Sequence, residues 1–401
     1  MLDQFKQEMV RVEPGCEVVS LAETAELGPV FGFAEGLRSG RTLQGVLSRA
    51  EESVVRLAPD VVVLVSFSGL HLPLGRRLGR RGLPVLFLGP PQVWAWGGWR
   101  KRRLRQAADK VVCLFRFEEE VLRRAGVDAT YFGYPLLDSV VSRLSRDQVL
   151  SKLGLGSHER YVVFLPGSRP AEIAYHMPLF EATQECLRKQ EPGVRGVVVL
   201  KSEVQSPESR VVLEDAGLVV VRGECRGGKA EDGTRYEVMR HAECACAVSG
   251  TVTAELALLG VPTVVCYHLP ALSRVLARLV VRIRFFALPN ILAGQRVVPE
   301  VLEAGPERLA GLLAPLLGDS EERRQQVVAF GQVAEKLGPP GAMACICRLA
   351  TGMGRGMRGE GPGTGNQGPR TRNCCLSPVG LTSPRVSISS VSLWHMHTHP
   401  V

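Results

Sequence analysis

Short apolar bursts recur along this chain with helix-patterned segments between them, and that alternation limits the fold more than any other feature. The bursts are Val61–Val65, Val85–Leu88, Val111–Phe115, Tyr161–Leu165, Val197–Leu200, Leu218–Val221, Cys244–Val248 and Pro262–Tyr267. They are nearly continuous runs of Val, Leu, Phe and Ala, without the polar alternation of a strand that has one wet face. Strands of that kind are covered on both sides, so the pattern predicts parallel sheets with helices on both faces, an α/β fold.

Length then sets the number of sheets. A chain of 401 residues exceeds a single hydrophobic core and predicts two or three domains. The βα pattern lapses between Ala129 and Arg160 and opens afresh at Tyr161, and from about Thr351 the composition changes: Gly352–Asn373 holds 8 glycines in 22 residues. These shifts predict an N-terminal domain over 1–150, a second over 151–350, and a disordered low-complexity tail over 351–401. His395, His397 and His399 alternate in that tail and are read as part of it rather than as a metal site.

Apolar residues are 45% and charged residues 22% of the chain, a globular balance. The net charge is +9, from 49 Lys and Arg against 40 Asp and Glu, which suits phosphate groups, anionic lipid or nucleic acid. Aromatic interleaving is sparse and no nucleic-acid motif is present, so nucleic acid is not expected as a partner. The 11 cysteines are scattered, with Cys113 and Cys266 inside apolar runs, as in a reducing cytosolic compartment, and their spacing does not suit zinc. The start, Met1-Leu2-Asp3-Gln4-Phe5-Lys6, lacks the pattern of a secretion signal. Val275–Leu288 is broken by Arg278, Arg282 and Arg284 and does not read as a membrane span.

Two turns carry the chemistry. Leu165-Pro166-Gly167-Ser168-Arg169 follows a strand and precedes Glu172 and a helix-like run. Glycine permits the tight turn, and backbone amides with Arg169 can meet a diphosphate at the carboxyl end of the sheet. An ordinary βα turn with a surface arginine fits the same residues. Ser249-Gly250-Thr251-Val252-Thr253-Ala254-Glu255 follows the burst Cys244–Val248 and opens a second helix. Its first N–H groups and dipole form an anion site, with the Ser249, Thr251 and Thr253 hydroxyls as further donors and Glu255 placed to accept from ribose hydroxyls. A plain N-cap with a dipole-favouring Glu255 is the alternative, and the presence of both turns in one βα series favours nucleotide binding.

With these turns, Pro90-Pro91-Gln92-Val93-Trp94-Ala95-Trp96, Phe117-Glu118, Gly133-Tyr134-Pro135, Leu288–Gly294 and Pro299-Glu300 complete an ordered set. The chain resembles the lipid-A-disaccharide synthase family over about residues 15–345. The resemblance implies two Rossmann-like domains facing a cleft, the GT-B type, and transfer of 2,3-diacylglucosamine from UDP-2,3-diacylglucosamine to 2,3-diacylglucosamine 1-phosphate. It implies that Arg169 contacts the UDP diphosphate and that Ser249, Gly250 and Thr251 form its cradle, with Gly167, Ser168, Glu172 and Thr253 in the same UDP-sugar site. It further implies that Glu255 holds the ribose and that Asn290 and Glu300 complete the nucleotide-sugar pocket. Trp94 and Trp96 are read as packing between domains. No cofactor or metal is expected, since direct displacement suits a chain without a D-x-D motif.

Both substrates are amphiphiles, so peripheral contact with the cytoplasmic face of the bacterial inner membrane is expected. Leu269–Leu288 mixes arginines with large apolar residues, and Arg76, Arg77, Arg80, Arg81, Arg100, Lys101, Arg102, Arg103 and Arg105 add positive charge. A homodimer is compatible with this reading.

Three departures from the family stand out. The N-terminal Gly-Glu-Ala-Ser-Gly-Asp turn and its strand are not matched, so the first domain is expected to lack its first βα unit. After Val65 the family carries Asp-x-Pro-Asp-Phe-Asn, whereas this chain has Ser66, Phe67, Ser68, Gly69, Leu70 and His71. No carboxylate remains for a general base, and His71 is the candidate in its place. Tyr134 replaces a histidine and Arg116 a proline. An active inverting glycosyltransferase is the leading reading, beside a truncated or non-catalytic relative that keeps UDP-sugar binding and another sugar-nucleotide enzyme such as a 2-epimerase.

Overall fold

The computed structural model describes residues 1–21, 40–95, 97–168, 170–200, 218–222, 225–226, 229–230, 233–268, 284–357 and 385–390. In chain order the strands are β1 (Glu17–Ser20), β2 (Val61–Val65), β3 (Val85–Leu88), β4 (Lys110–Val112), β5 (Ala129–Thr130), β6 (Arg160–Leu165) and β7 (Val194–Leu200). They continue with β8 (Leu218–Arg222), β9 (Cys225–Arg226), β10 (Lys229–Ala230), β11 (Cys244–Val248), β12 (Thr263–Tyr267), β13 (Glu300–Leu302) and β14 (Arg385–Ser390). All eight sequence-predicted bursts are strands, and the mixed α/β class with parallel sheets is as expected.

Among the described residues the chain divides into two compact units, one of 1–135 with 338–357 and 385–390, the other of 136–337. The break at Pro135 falls within the lapse of the βα pattern between Ala129 and Arg160. The helix Ala342–Met357, expected in the second domain, packs on Leu2–Val12 and β2 in the first unit. The tail expected from 351 differs in two places: the helix runs to Met357, and 385–390 form a strand. The remaining tail residues lie outside those described.

The first unit is a parallel sheet in the order β1-β14-β2-β3-β4-β5. Its central strands are buried on both faces, and alternate residues serve opposite layers. Val61, Val63 and Val65 pack with Phe5, Met9, Met343, Ile346 and Cys347, whereas Val62 and Leu64 pack with Leu74, Leu78 and Leu104. Each such aliphatic side chain contributes about 1.5–3 kcal/mol on burial. Gly75 lets the helices Ser68–Gly79 and Arg100–Ala107 touch, since a Cβ there would lie 2.2 Å from the Ala107 carbonyl oxygen. The sheet position between β1 and β2 is held by β14.

The second unit is a parallel sheet in the order β13-β12-β11-β6-β7-β8, with β9 and β10 as a short antiparallel pair. From β6 the chain runs outward through β7 and β8, then returns to the other side of β6 for β11, β12 and β13. The direction of winding therefore reverses between β6 and β11, where open α/β sheets form their ligand crevice. The eight cysteines whose side chains are described are free of disulfides; burial pushes the thiols of Cys113 and Cys244 up, as for small core hydrophobes. Among the described residues no helix is long and apolar enough to cross a membrane.

Candidate functional site

The register Ala247↔Leu165 puts the carboxyl ends of β11 and β6 side by side, so the two predicted turns are neighbours. At the end of β6, Gly167 has φ +109, and a Cβ on it would meet Glu172 Oε2 at 2.5 Å and Glu172 Cβ at 2.9 Å. Only glycine fits. The Glu172 carboxylate accepts from the Ser168 amide at 3.2 Å, so its task here is to close the turn. Arg169 lies outside the described residues.

At the end of β11, the helix Val252–Leu259 begins behind Ser249, Gly250 and Thr251, with Gly250 and Thr251 exposed. The first amides of such a helix have no partner within it and point at an incoming anion. The three expected hydroxyl donors are not equivalent. Ser249 Oγ donates to the Phe286 carbonyl at 2.8 Å, and Thr253, fully buried, donates to the Gly250 carbonyl at 2.8 Å. Both are spent on the backbone, which leaves Thr251 as the one of the three at the surface.

Glu255 is 3% exposed and accepts from Arg235 Nη2 at 2.8 Å. Arg235 also donates to the Tyr236 hydroxyl at 2.6 Å and lies over its ring at 4.5 Å. A buried carboxylate survives as an anion only with such a partner. Sequence reading missed Arg235 because it sits 20 residues upstream, in the unremarkable helix Gly233–Arg240.

Asn290 and Glu300, expected in the nucleotide-sugar pocket, are both held by backbone groups of the second unit. Asn290 is fully buried; its Nδ2 donates to the Val298 carbonyl at 3.0 Å, and its Oδ1 accepts from the amides of Val297 at 2.6 Å and Val298 at 2.9 Å. It locks a loop and is withdrawn from any ligand. Glu300 Oε2 accepts from the amides of Phe286 at 3.0 Å and Ala287 at 2.8 Å. Since Ser249 bonds the Phe286 carbonyl, Glu300 braces the segment against which the anion turn rests. The arginine-rich stretch 269–283 lies outside the described residues.

In the first unit, His71 does not sit as a base should. Its ring is fully buried, edge-on to Phe67 and Phe87, and Nδ1–H donates to the Ser66 carbonyl at 2.9 Å. Burial pulls its pKa down to about 4. The ring expected to act as the base is thus buried in the core beneath the turn after β2. The loop itself is tense: Ser66 and Phe67 have φ of +53 and +38, and neither is glycine.

Glu118, part of the matched Phe117-Glu118 pair, stands in the first turn of the helix Arg116–Arg123 that follows β4. Glu118 is 3% exposed; Oε1 accepts from Trp94 Nε1 at 3.0 Å, and Oε2 from the amides of Leu114 at 3.0 Å and Phe115 at 3.2 Å. Burial raises its pKa to about 7. Trp94 meets Phe117 edge-on at 5.1 Å, and Phe115 stacks between Phe117 and Tyr134 at 5.7 Å from each. Trp94 is thus anchored inside its own unit; Trp96 lies outside the described residues.

Two parallel sheets of Rossmann type, the second with paired turns at its reversal point, are the elements of the GT-B fold. The fold is similar to that of the S. aureus MnaA–UDP co-structure, with TM-score 0.59 and 12% identity over 89% of this chain and 94% of that one. It is also similar to α,α-trehalose 6-phosphate synthase from Burkholderia multivorans, with TM-score 0.50 and 13% identity over 89% and 84%. A family model described as lipid-A-disaccharide synthetase matches residues 9–340. The lipid-A-disaccharide synthase of Syntrophus aciditrophicus is 32% identical over 83% of this chain and 89% of its own length. That of Geobacter metallireducens is 33% identical over 84% and 86%. The chain belongs to the lipid-A-disaccharide synthase family.

Proposed function

We propose that the chain moves 2,3-diacylglucosamine from UDP-2,3-diacylglucosamine to 2,3-diacylglucosamine 1-phosphate, releasing UDP and lipid A disaccharide 1-phosphate. The observation that carries this is the adjacency of the turns after β6 and β11 at the reversal point of the second sheet. The helix start at Gly250 and Thr251, with Gly167, Ser168 and Arg169, receives the diphosphate, and Glu255, kept anionic by Arg235, accepts from the ribose hydroxyls. The acceptor 6-hydroxyl attacks the anomeric carbon from the face opposite UDP and gives up its proton to solvent water. As that bond forms, the bond from the anomeric carbon to the UDP oxygen breaks, with inversion, and the charge that grows on UDP is met by amides already in place. The acylated substrates bring the protein to the cytoplasmic face of the inner membrane.

A second reading has its own support. Residues 66–71 carry no carboxylate and His71 is buried, which favours a relative that binds the UDP-sugar without turning it over. Calorimetric titration of UDP into wild type, Glu255→Ala and Arg169→Ala, followed by an assay of UDP release with both lipids, separates the two. Binding that both substitutions weaken, with turnover, is expected for the synthase; binding without turnover selects the second reading. No binding by wild type removes both.

A further inference from the structure

At the carboxyl rim of the second sheet, side chains from three parts of the chain meet. Tyr175, in the helix Pro170–Gln190, lays its ring on that of His268 with centroids 3.6 Å apart, and its hydroxyl lies 2.6 Å from His268 Nδ1. The same nitrogen is paired with the Glu303 carboxylate. His268 directly follows β12, and Glu303 directly follows β13 with φ +55, a left-handed conformation that is costly for glutamate. All three reach solvent: Tyr175 is 48% exposed, and the side chains of His268 and Glu303 are 21% and 24% exposed.

This rim adjoins the anion turns. The Ser249 amide donates to the Cys266 carbonyl at 3.2 Å, which brings His268 level with Gly250. On the other flank, His176 Nδ1–H donates at 2.7 Å to the carbonyl of Glu172, whose side chain closes the Gly167 turn. His176 is 3% exposed and meets Tyr175 edge-on at 5.4 Å, and its Nε2 has no partner among the described residues. With Nδ1 donating, Nε2 of the neutral ring is an unspent acceptor.

Glu255 and this cluster lie on opposite faces of the sheet. The helix of Glu255 packs Leu256 and Leu259 into the layer of Val163 and Leu165, whereas the helix of Tyr175 packs Ile173 and Met177 into the layer of Phe164 and Cys266. A nucleotide with its ribose at Glu255 and its diphosphate over the strand ends therefore carries its third part toward Tyr175. The Glu303 carboxylate there repels a phosphate, and so polar a set does not suit an acyl chain. Hydroxyls, which both donate and accept, suit it.

We propose that Tyr175, His268 and Glu303 are specificity-determining residues for the hexose of the donor and bind its free hydroxyls. Glu303 fixes the imidazole through Nδ1, and His268 with the Tyr175 hydroxyl meets the sugar oxygens. The inference rests on the reading that UDP occupies the turns after β6 and β11.

Calorimetry compares UDP with UDP-glucosamine acetylated at N2 and O3, a soluble short-chain form of the donor, in wild type, His268→Ala, Tyr175→Phe and Glu303→Gln. UDP affinity is expected to stay within about twofold throughout, while affinity for the UDP-sugar falls about 10-fold in His268→Ala and about 3-fold in the other two. Among the 4-deoxy and 6-deoxy forms of the sugar, the one lacking the contacted hydroxyl is expected to bind wild type and His268→Ala alike. Unchanged UDP-sugar affinity in His268→Ala, losses equal for UDP and the UDP-sugar, or full sensitivity of both deoxy forms to His268→Ala overturns the proposal and leaves the nucleotide reading standing. No binding of UDP by wild type removes both.

Discussion

Arg235 Nη2 reaches the Glu255 carboxylate at 2.8 Å, across 20 residues of sequence and between two successive helices of the second unit. The side chain of Glu255 is 4% exposed and that of Arg235 25%, so the pair is half-sealed. Arg235→Ala is expected to cost about 2 kcal/mol of stability, below the full toll of an orphaned buried charge because water reaches the arginine side. UDP affinity is expected to fall about 10-fold in Glu255→Gln, with 2′-deoxy-UDP hardly affected. Denaturant melts and calorimetry with both nucleotides check this; equal losses for the two would remove the ribose role.

Gly167 is the most constrained position at the anion site. Gly167→Ala meets both a positive φ and the Glu172 side chain, and about 1–3 kcal/mol of strain is expected. Removing the carboxylate as well, in Gly167→Ala with Glu172→Ala, relieves the clash but not the φ, so the double variant is expected to recover only part of the loss. Urea titrations of the three variants read the difference.

His71 gives the first unit a pH dependence of known sign. Its folded pKa, about 4, lies below the ordinary 6.5, so the unfolded chain takes up the proton first. Stability is unaffected above about pH 6.5 and is lost as pH falls from there toward 4, by about 2 kcal/mol at pH 5. His71→Leu is expected to lose that part of the slope between pH 7.5 and 5. If instead turnover at pH 7.5 vanished in a folded His71→Leu protein, the ring would have a part in the reaction.

Glu118 has the opposite sign. With its pKa raised from 4.5 to about 7, the folded state holds its proton longer than the unfolded chain. This stabilises the fold below about pH 4.5 relative to neutral pH, and the advantage fades as pH rises to 7. Trp94 donates to this carboxyl, so tryptophan emission is expected to titrate near pH 7 and to become flat in Glu118→Gln.

Asn290→Ala separates a brace from a ligand contact. It leaves the amides of Val297 and Val298 and the Val298 carbonyl without their partner, at a cost of about 3 kcal/mol. UDP affinity in the protein that remains folded is expected to stay within about twofold. A thermal melt beside a calorimetric titration tests the pair of statements.

The sheets were legible because buried parallel strands leave unbroken apolar runs, and β2, β3, β6, β7 and β11 are such runs. β1, β5 and β13 escaped notice because Glu-Val-Val-Ser, Ala-Thr and Glu-Val-Leu are too short to stand out from a loop. β14 escaped because serine fills half of it. At the site, Gly167 and the Ser249–Glu255 helix start announce themselves by residue type. Residue type could not tell which hydroxyls the backbone would claim, nor that Asn290 and His71 would turn inward. Arg235 was invisible for the same reason that it matters: a salt bridge between helices has no spacing rule.

Synthesis runs against the architecture of the first sheet. β2 to β5 are made by residue 130, yet the strand that ties β1 to them is not made until residue 390. The second unit, contiguous from 136 to 337, can close while the chain is still growing. The first unit, with strands on both sides of the second in the chain, is therefore completed after it, and until then the edge of β2 is a surface that the growing chain must keep from its neighbours.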